Sequence, residues 1–264
     1  VVSELENGLE YLRVMDLKSK NSHRIETSEE IYSMGLGANP EYDVSKIRFV
    51  YNSMVTPAST FEYDLNTKER KLLKQQEIPS GYDAGLYETK RVWVPARDGV
   101  RVPVSLMYKK GTRLDGSAPM LLYGYGSYGI SIPPTFSTVR LSLVDRGMIY
   151  AIANIRGGGE LGEEWREAGR MMQKMNTFND FVDVAEWFVN NKYTATDRLV
   201  IQGGSAGGLL MGAVVNMNPE LFKAAIVQVP FVDVMNTMLD ETLPLTTGEW
   251  IEWGNPNEKE AYDY

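Results

Sequence analysis

Between Met120 and Val229 the chain repeats one grammar: a short, almost wholly apolar run, a polar loop, then a segment with helical spacing. The apolar runs are residues 120–123, 148–153, 199–202 and 224–229; the helical segments are residues 138–145, 178–189 and 209–215. A strand without a polar face must be buried on both sides, and helices between such strands supply the cover, so the pattern predicts an α/β unit with a parallel sheet. Two more strands, residues 91–95 and 102–108, flank the turn Ala96-Arg-Asp-Gly99 just upstream. With 43% apolar residues in 264, the chain has material for such a core.

The first part has a different texture. Residues 47–51, 59–63 and 70–73 are β-rich runs, the last two joined by the polar turn at residues 64–69, and this spacing predicts an antiparallel meander. A meander of that size matches one propeller blade, which cannot bury both faces alone. Pro79 and Gly81 interrupt residues 77–83, which read as a linker. The expected division is residues 1–80 and 81–264.

Gly203-Gly-Ser-Ala-Gly207 fits G-x-S-x-G and stands directly after one predicted strand and before a helix expected to start near Gly208. A strand turning abruptly into a helix strains its corner residue, and flanking glycines let the two elements approach without Cβ clashes. Ser205 is thereby expected as an exposed nucleophile, with the Ala206 N–H at a helix N-terminus facing a developing oxyanion. An incidental serine in a glycine-rich turn is the alternative.

Gly124-Tyr-Gly-Ser-Tyr-Gly129 matches G-x-G-x-x-G, but Pro133 and Pro134 follow instead of a helix, so the dinucleotide reading is rejected. A loop there is suited to the second half of an oxyanion hole, with Tyr125 as a phenolic donor or, alternatively, as a packing aromatic. Arg156-Gly-Gly-Gly-Glu160 lacks the Lys-Ser/Thr of a phosphate cradle and reads as structural, and residues 64–69 lack the central glycine of a calcium loop. No cofactor or metal is expected. A net charge of −8 makes nucleic acid an improbable partner, the absence of cysteine removes disulfides and thiolates, and no run reaches the roughly 18 apolar residues of a membrane helix.

These motifs, with Asn154-Ile-Arg-Gly-Gly-Gly-Glu-Leu-Gly162, Gln228-Val-Pro-Phe-Val-Asp233 and Pro244-Leu-Thr-Thr-Gly-Glu-Trp250, resemble the prolyl oligopeptidase family, in particular its oligopeptidase B branch. The resemblance runs from about Ile47 to the end. It implies part of an α/β-hydrolase domain preceded by the C-terminal part of a β-propeller, acting on short peptides with a basic P1 residue. It also implies Ser205 as nucleophile, Ala206 and Tyr125 as the oxyanion hole, and Glu249 as the acidic partner of the P1 side chain. A buried carboxylate suits a guanidinium, which can meet both its oxygens. Read without the resemblance, Thr246-Thr-Gly-Glu249 is a helix capping box. Ile251 stands where close bacterial relatives carry a second acidic residue, and Pro133 and Thr135 stand where they carry an Asp pair associated with a basic P2 residue, so a basic P2 preference is not expected.

The family's triad Asp and His are expected beyond Tyr264. His23, the only histidine, lies in a polar run 182 residues before Ser205 and reads as a solvated loop residue, and Asp233 is left without a role. A first residue other than Met suggests a fragment, inactive and unstable by itself; the absence of cysteine and of a leader fits the cytoplasm. The competing expectation is a catalytically inert product acting at most as a binding module.

Overall fold

The computed structural model describes residues 1–264. Three sheets follow one another. Strands β1 (Val2–Glu6), β2 (Leu9–Met15) and β3 (Ser22–Arg24) form an antiparallel ribbon, and β4 (Ser33–Leu36), β5 (Lys46–Asn52), β6 (Ser59–Asp64) and β7 (Arg70–Gln75) form a four-stranded meander. In β5 the buried residues are Ile47, Phe49 and Tyr51, the period of two that one covered face requires. They pack with Leu12 and Ile25 from the ribbon. The first part thus contributes strands of two blade-like sheets, where the sequence pattern disclosed one. In the β6–β7 turn the Asp64 carboxylate accepts the Asn66 and Thr67 N–H groups at 2.9 and 3.0 Å.

The third sheet holds β8 (Tyr87–Pro95), β9 (Arg101–Lys109), β10 (Met120–Gly124), β11 (Ile149–Ala153), β12 (Leu199–Gly204) and β13 (Ala224–Gln228), in the order β13-β12-β10-β11-β9-β8. The last four in sequence run parallel, but β9 is antiparallel to β11 and β8 to β9, so the sheet is mixed. The short turn at Ala96–Gly99 dictates this: two strands joined by a tight loop can only return antiparallel.

Helices α1 (Thr138–Val144), α2 (Glu163–Glu167), α3 (Met175–Asn190) and α4 (Ala206–Met217) lie in the connections of this sheet; α5 (Val234–Leu239), α6 (Thr246–Trp253) and α7 (Lys259–Asp263) come after its last strand. The larger core lies between the sheet, α3 and α4, around Phe181, Phe188, Leu122 and Ile201. A smaller one on the other face joins α1 to Ile31 and Met54 of the first part. No helix is long and apolar enough to cross a membrane.

Chain order reverses at β10, whose neighbours are β11 on one side and β12 on the other. In an open parallel sheet such a switch point splays the loops leaving the strands' carboxyl ends and opens a crevice between them. The loop after β10 carries Tyr125, and the corner after β12 is Ser205.

Candidate active site

Ser205 has φ 56° and ψ −118°, a conformation that an L-residue adopts only under constraint. The constraint is visible on both sides. Its N–H donates to Gln228 O at 3.0 Å, and its carbonyl accepts from Gly208, Leu209 and Phe231 N–H at 2.9 to 3.2 Å. Helix α4 starts immediately, at Ala206 and not at Gly208, so the Ala206 N–H is among the first-turn donors that have no carbonyl within the helix. The side chain of Ser205 is exposed, whereas Ala206, Gly207 and Gly208 are buried. A Cβ on Gly207 would come 2.7 Å from the Gly124 carbonyl oxygen, and one on Gly208 2.6 Å from Pro230 Cα, so the glycines are what allow α4 to sit against the β10 and β13 loops.

Tyr125 follows in the β10 loop, half-buried, its ring and Cα alongside Gly207. Burial pushes its phenol up, against the opposing pull of the neighbouring Ser205 side chain. A hydroxyl that stays protonated is the form that donates to an oxyanion.

Glu249 lies on α6. The capping-box reading of this stretch is overturned: the residue before the helix is Leu245 in a left-handed conformation, and the Thr246 hydroxyl donates to Thr237 O at 3.1 Å instead of capping the helix. Glu249 Oε2 accepts the Tyr128 hydroxyl at 2.5 Å and the Trp253 indole N–H at 3.1 Å. The Trp253 ring is 5.3 Å from that of Phe231, whose N–H holds the Ser205 carbonyl, so one run of contacts connects Glu249 to the corner. Ile251 is 60% exposed and adds no charge beside Glu249.

The remaining sequence-picked residues stand apart. His23 is in strand β3, not in a loop; it is half-buried, hydrogen-bonded to Tyr63 Oη at 2.9 Å, and pushed down in pKa by burial and by Lys68. Asp233 stands just before α5 without capping it, and accepts Asn236 Nδ2 at 2.9 Å. The Arg156–Glu160 loop is held from within: Arg156 grips Asp180 through Nε at 2.9 Å and Nη2 at 2.5 Å, and Glu160 accepts from Asn154 Nδ2 and Ile132 N–H, both at 2.9 Å. Tyr128, Trp253, Lys174 and Glu252 were not singled out by sequence reasoning. Tyr128 stood inside a quoted motif; the others carried no local signal.

Two family models match the chain: the prolyl oligopeptidase family over residues 134–264, and the prolyl oligopeptidase N-terminal beta-propeller domain over residues 1–76. Among curated proteins, dipeptidyl aminopeptidase BI of Pseudoxanthomonas mexicana is 54% identical across the whole chain, and protease 2 of Moraxella lacunata 40%. The chain spans 36% and 38% of their respective lengths. Among solved structures, oligopeptidase B from Trypanosoma brucei with covalently bound antipain superimposes with a TM-score of 0.94 and oligopeptidase B from Leishmania major with 0.92. Both are 43% identical over 99% of this chain and 38% of theirs.

Proposed function

Because the chain belongs to the prolyl oligopeptidase family of peptidases, we propose that the protein is a serine oligopeptidase cleaving short peptides after Arg or Lys, with Ser205 as nucleophile. The observation that carries the reading is the left-handed corner at Ser205, an exposed hydroxyl on a strained residue next to unpaired helix-terminal N–H groups. In the reaction the Ser205 oxygen bonds to the scissile carbonyl carbon while its proton passes to a base. The Ala206 N–H and Tyr125 hydroxyl stabilise the oxyanion, and its collapse breaks the C–N bond, the amine leaving with that proton. Water then hydrolyses the acyl-enzyme along the same path.

His23 is not that base, being engaged with Tyr63 in the β3 region of the first part. The base and its orienting carboxylate are therefore assigned to sequence outside these 264 residues. A basic P1 residue is supported by Glu249: with Oε2 held by Tyr128 and Trp253, the other oxygen is left to meet a cation. Pro133 and Thr135 offer no carboxylate to a P2 side chain.

The test is a serine-reactive phosphonate applied to the protein at its full natural length, followed by cleavage of peptides that differ only at P1. Labelling that is lost in Ser205→Ala, with Arg and Lys favoured at P1, is the expected result. No labelling of the unaltered protein, or equal labelling of Ser205→Ala, would end the proposal.

A further inference from the structure

Lys174 is a buried ammonium, 6% exposed, at the entry to α3, and the reaction described above gives it no work. Its Nζ donates to Gly126 O at 2.7 Å, Ser127 Oγ at 2.6 Å and Gly169 O at 3.2 Å, which uses all three N–H bonds. Its counter-charge is Glu252 Oε1, 3.7 Å away and on a residue 1% exposed; the Trp253 ring centroid lies 4.9 Å from the same nitrogen. Glu252 Oε1 also accepts the Tyr128 N–H at 2.9 Å, and Oε2 is buried without a partner.

One buried pair therefore grips both walls of the cleft: the loop after β10, with Tyr125 and Tyr128, and α6, where Glu249 is three residues from Glu252. An apolar pair of similar volume would fill this space without the desolvation cost of two charges. What the charges add is direction, because Lys174 fixes the Gly126 carbonyl and Glu252 the Tyr128 N–H of the loop. We infer that Lys174 and Glu252 are positioning residues for the proposed peptidase site, keeping the Tyr125 loop and the Glu249 helix in register so that the scissile carbonyl and the P1 cation are held together. This rests on the peptidase reading of Ser205 and Glu249.

The pair is also sensitive to pH. Burial pushes the Lys174 ammonium down to about 8, against the opposing pull of Glu252. The other titratable or charged groups around it are Tyr125 and Tyr128 in the loop, Glu249 on α6, Arg170 just before it in the chain, and Tyr264 beside Met175 at the start of α3. Above that pH a neutral amine keeps only two N–H bonds for three acceptors and no longer balances Glu252, so the hold on Gly126, Ser127 and Gly169 weakens.

The experiment uses the full natural protein and the variants Lys174→Met, Glu252→Gln and their combination, with active sites counted by phosphonate titration. kcat/KM is measured from about pH 6 to about pH 10 on two peptides differing only in Arg or its neutral isostere citrulline at P1. Each single variant is expected to lower the Arg-to-citrulline ratio roughly tenfold per titrated site, with KM for the Arg peptide raised, and the double variant to cost no more than the worse single one. Glu252→Gln keeps an acceptor for Tyr128 but removes the charge that holds the Lys174 proton. It should therefore move the alkaline limb to lower pH, while Lys174→Met should abolish the limb contributed by this lysine. A purely structural role reduces only the number of titratable sites. A ratio within about twofold of the unaltered protein, with the limb unmoved in Glu252→Gln, overturns the inference even if Lys174→Met fails to fold. Absence of labelling in the unaltered protein instead fells the peptidase reading, and this inference with it.

Discussion

Placing a methyl group on Gly207 sets two effects of known sign against each other. Gly207 lies in the first turn of α4, where alanine is favoured over glycine by about 1 kcal/mol in an unobstructed helix. Here, however, the new Cβ would stand 2.7 Å from the Gly124 carbonyl oxygen, about 0.7 Å inside the 3.4 Å of an ordinary contact, and 3.4 Å from both Cα and ring Cδ2 of Tyr125. Since the obstacle is backbone, α4 and the Tyr125 loop must separate, and overpacking of this kind costs about 1–3 kcal/mol. Gly207→Ala is thus expected to be destabilising by about 0–2 kcal/mol net. Because misplacing a catalytic group by about 1 Å costs up to about 10²-fold, phosphonate labelling should slow by about tenfold or more. Gly204→Ala is the control in the same turn: its Cβ would meet nothing nearer than Gln228 Cβ at 3.6 Å. It should leave labelling unchanged and raise stability by about 0.4–1 kcal/mol through the unfolded chain. Urea midpoints at constant m-value, with labelling rates on the same samples, decide the matter. Stabilisation by Gly207→Ala, or equal damage from Gly204→Ala, would refute the steric account of the corner.

Tyr125→Phe removes one proposed oxyanion donor while keeping the ring, so kcat should fall about 10²-fold with KM little changed in steady-state assays of the full natural protein. Asp180→Asn strips the buried Arg156 guanidinium of one of its two carboxylates, leaving Asp98 on Nη1, and should cost less than the ~3–5 kcal/mol of a fully unpaired buried charge, read as a fall in the urea midpoint. Asp64 is held below its ordinary 3.8 by backbone N–H bonds from Thr67 and Asn66. Its contribution to stability is present above that pH and is lost as pH falls through the depressed folded value. Asp64→Ala should therefore lower the urea midpoint at neutral pH and make less difference near about pH 2.

What could be read from the sequence was what local chemistry decides. Strands β10 to β12 announced themselves because burial leaves few polar positions, β13 by an equally apolar run although most of its residues are exposed, and the corner at Ser205 because only glycines at 203, 207 and 208 permit the approach. Strands β1 to β4 were faint for the opposite reason: β1 has no buried residue and β3 only three residues, so neither shows periodicity. The antiparallel entry of β8 and β9 was hidden because a buried strand reads alike in either direction; the tight turn at Ala96–Gly99 was the available clue. The start of α6 misled because Thr-Thr-Gly-Glu satisfies the capping pattern in letters, while the chain enters the helix from a left-handed Leu245 that directs the Thr246 hydroxyl to Thr237. Lys174 and Glu252 are 78 residues apart and meet only through tertiary packing, which no spacing rule encodes.

That pair also separates what stabilises the fold from what shapes the cleft. A lysine lowered from 10.5 to about 8 binds its proton less readily folded than unfolded, so stability rises with pH between those values. Below about pH 8 the buried charge thus costs about 3 kcal/mol, the attraction of Glu252 included. Glu252 Oε2, buried without a partner, adds to the cost. Replacing both residues by apolar ones, Lys174→Met with Glu252→Leu, should accordingly leave stability near neutral pH within about 2 kcal/mol of the unaltered protein in urea unfolding, the gain of about 1–4 kcal/mol from an apolar pair being set against the polar groups left unbonded. The Tyr128 N–H would lose its acceptor, and Gly126 O and Ser127 Oγ their donor, so the same variant should discriminate poorly between Arg and citrulline. Stability retained while discrimination falls is the signature of charges kept for geometry. A fall in stability of several kcal/mol would mean instead that the pair holds the fold together and that its place beside the cleft is incidental.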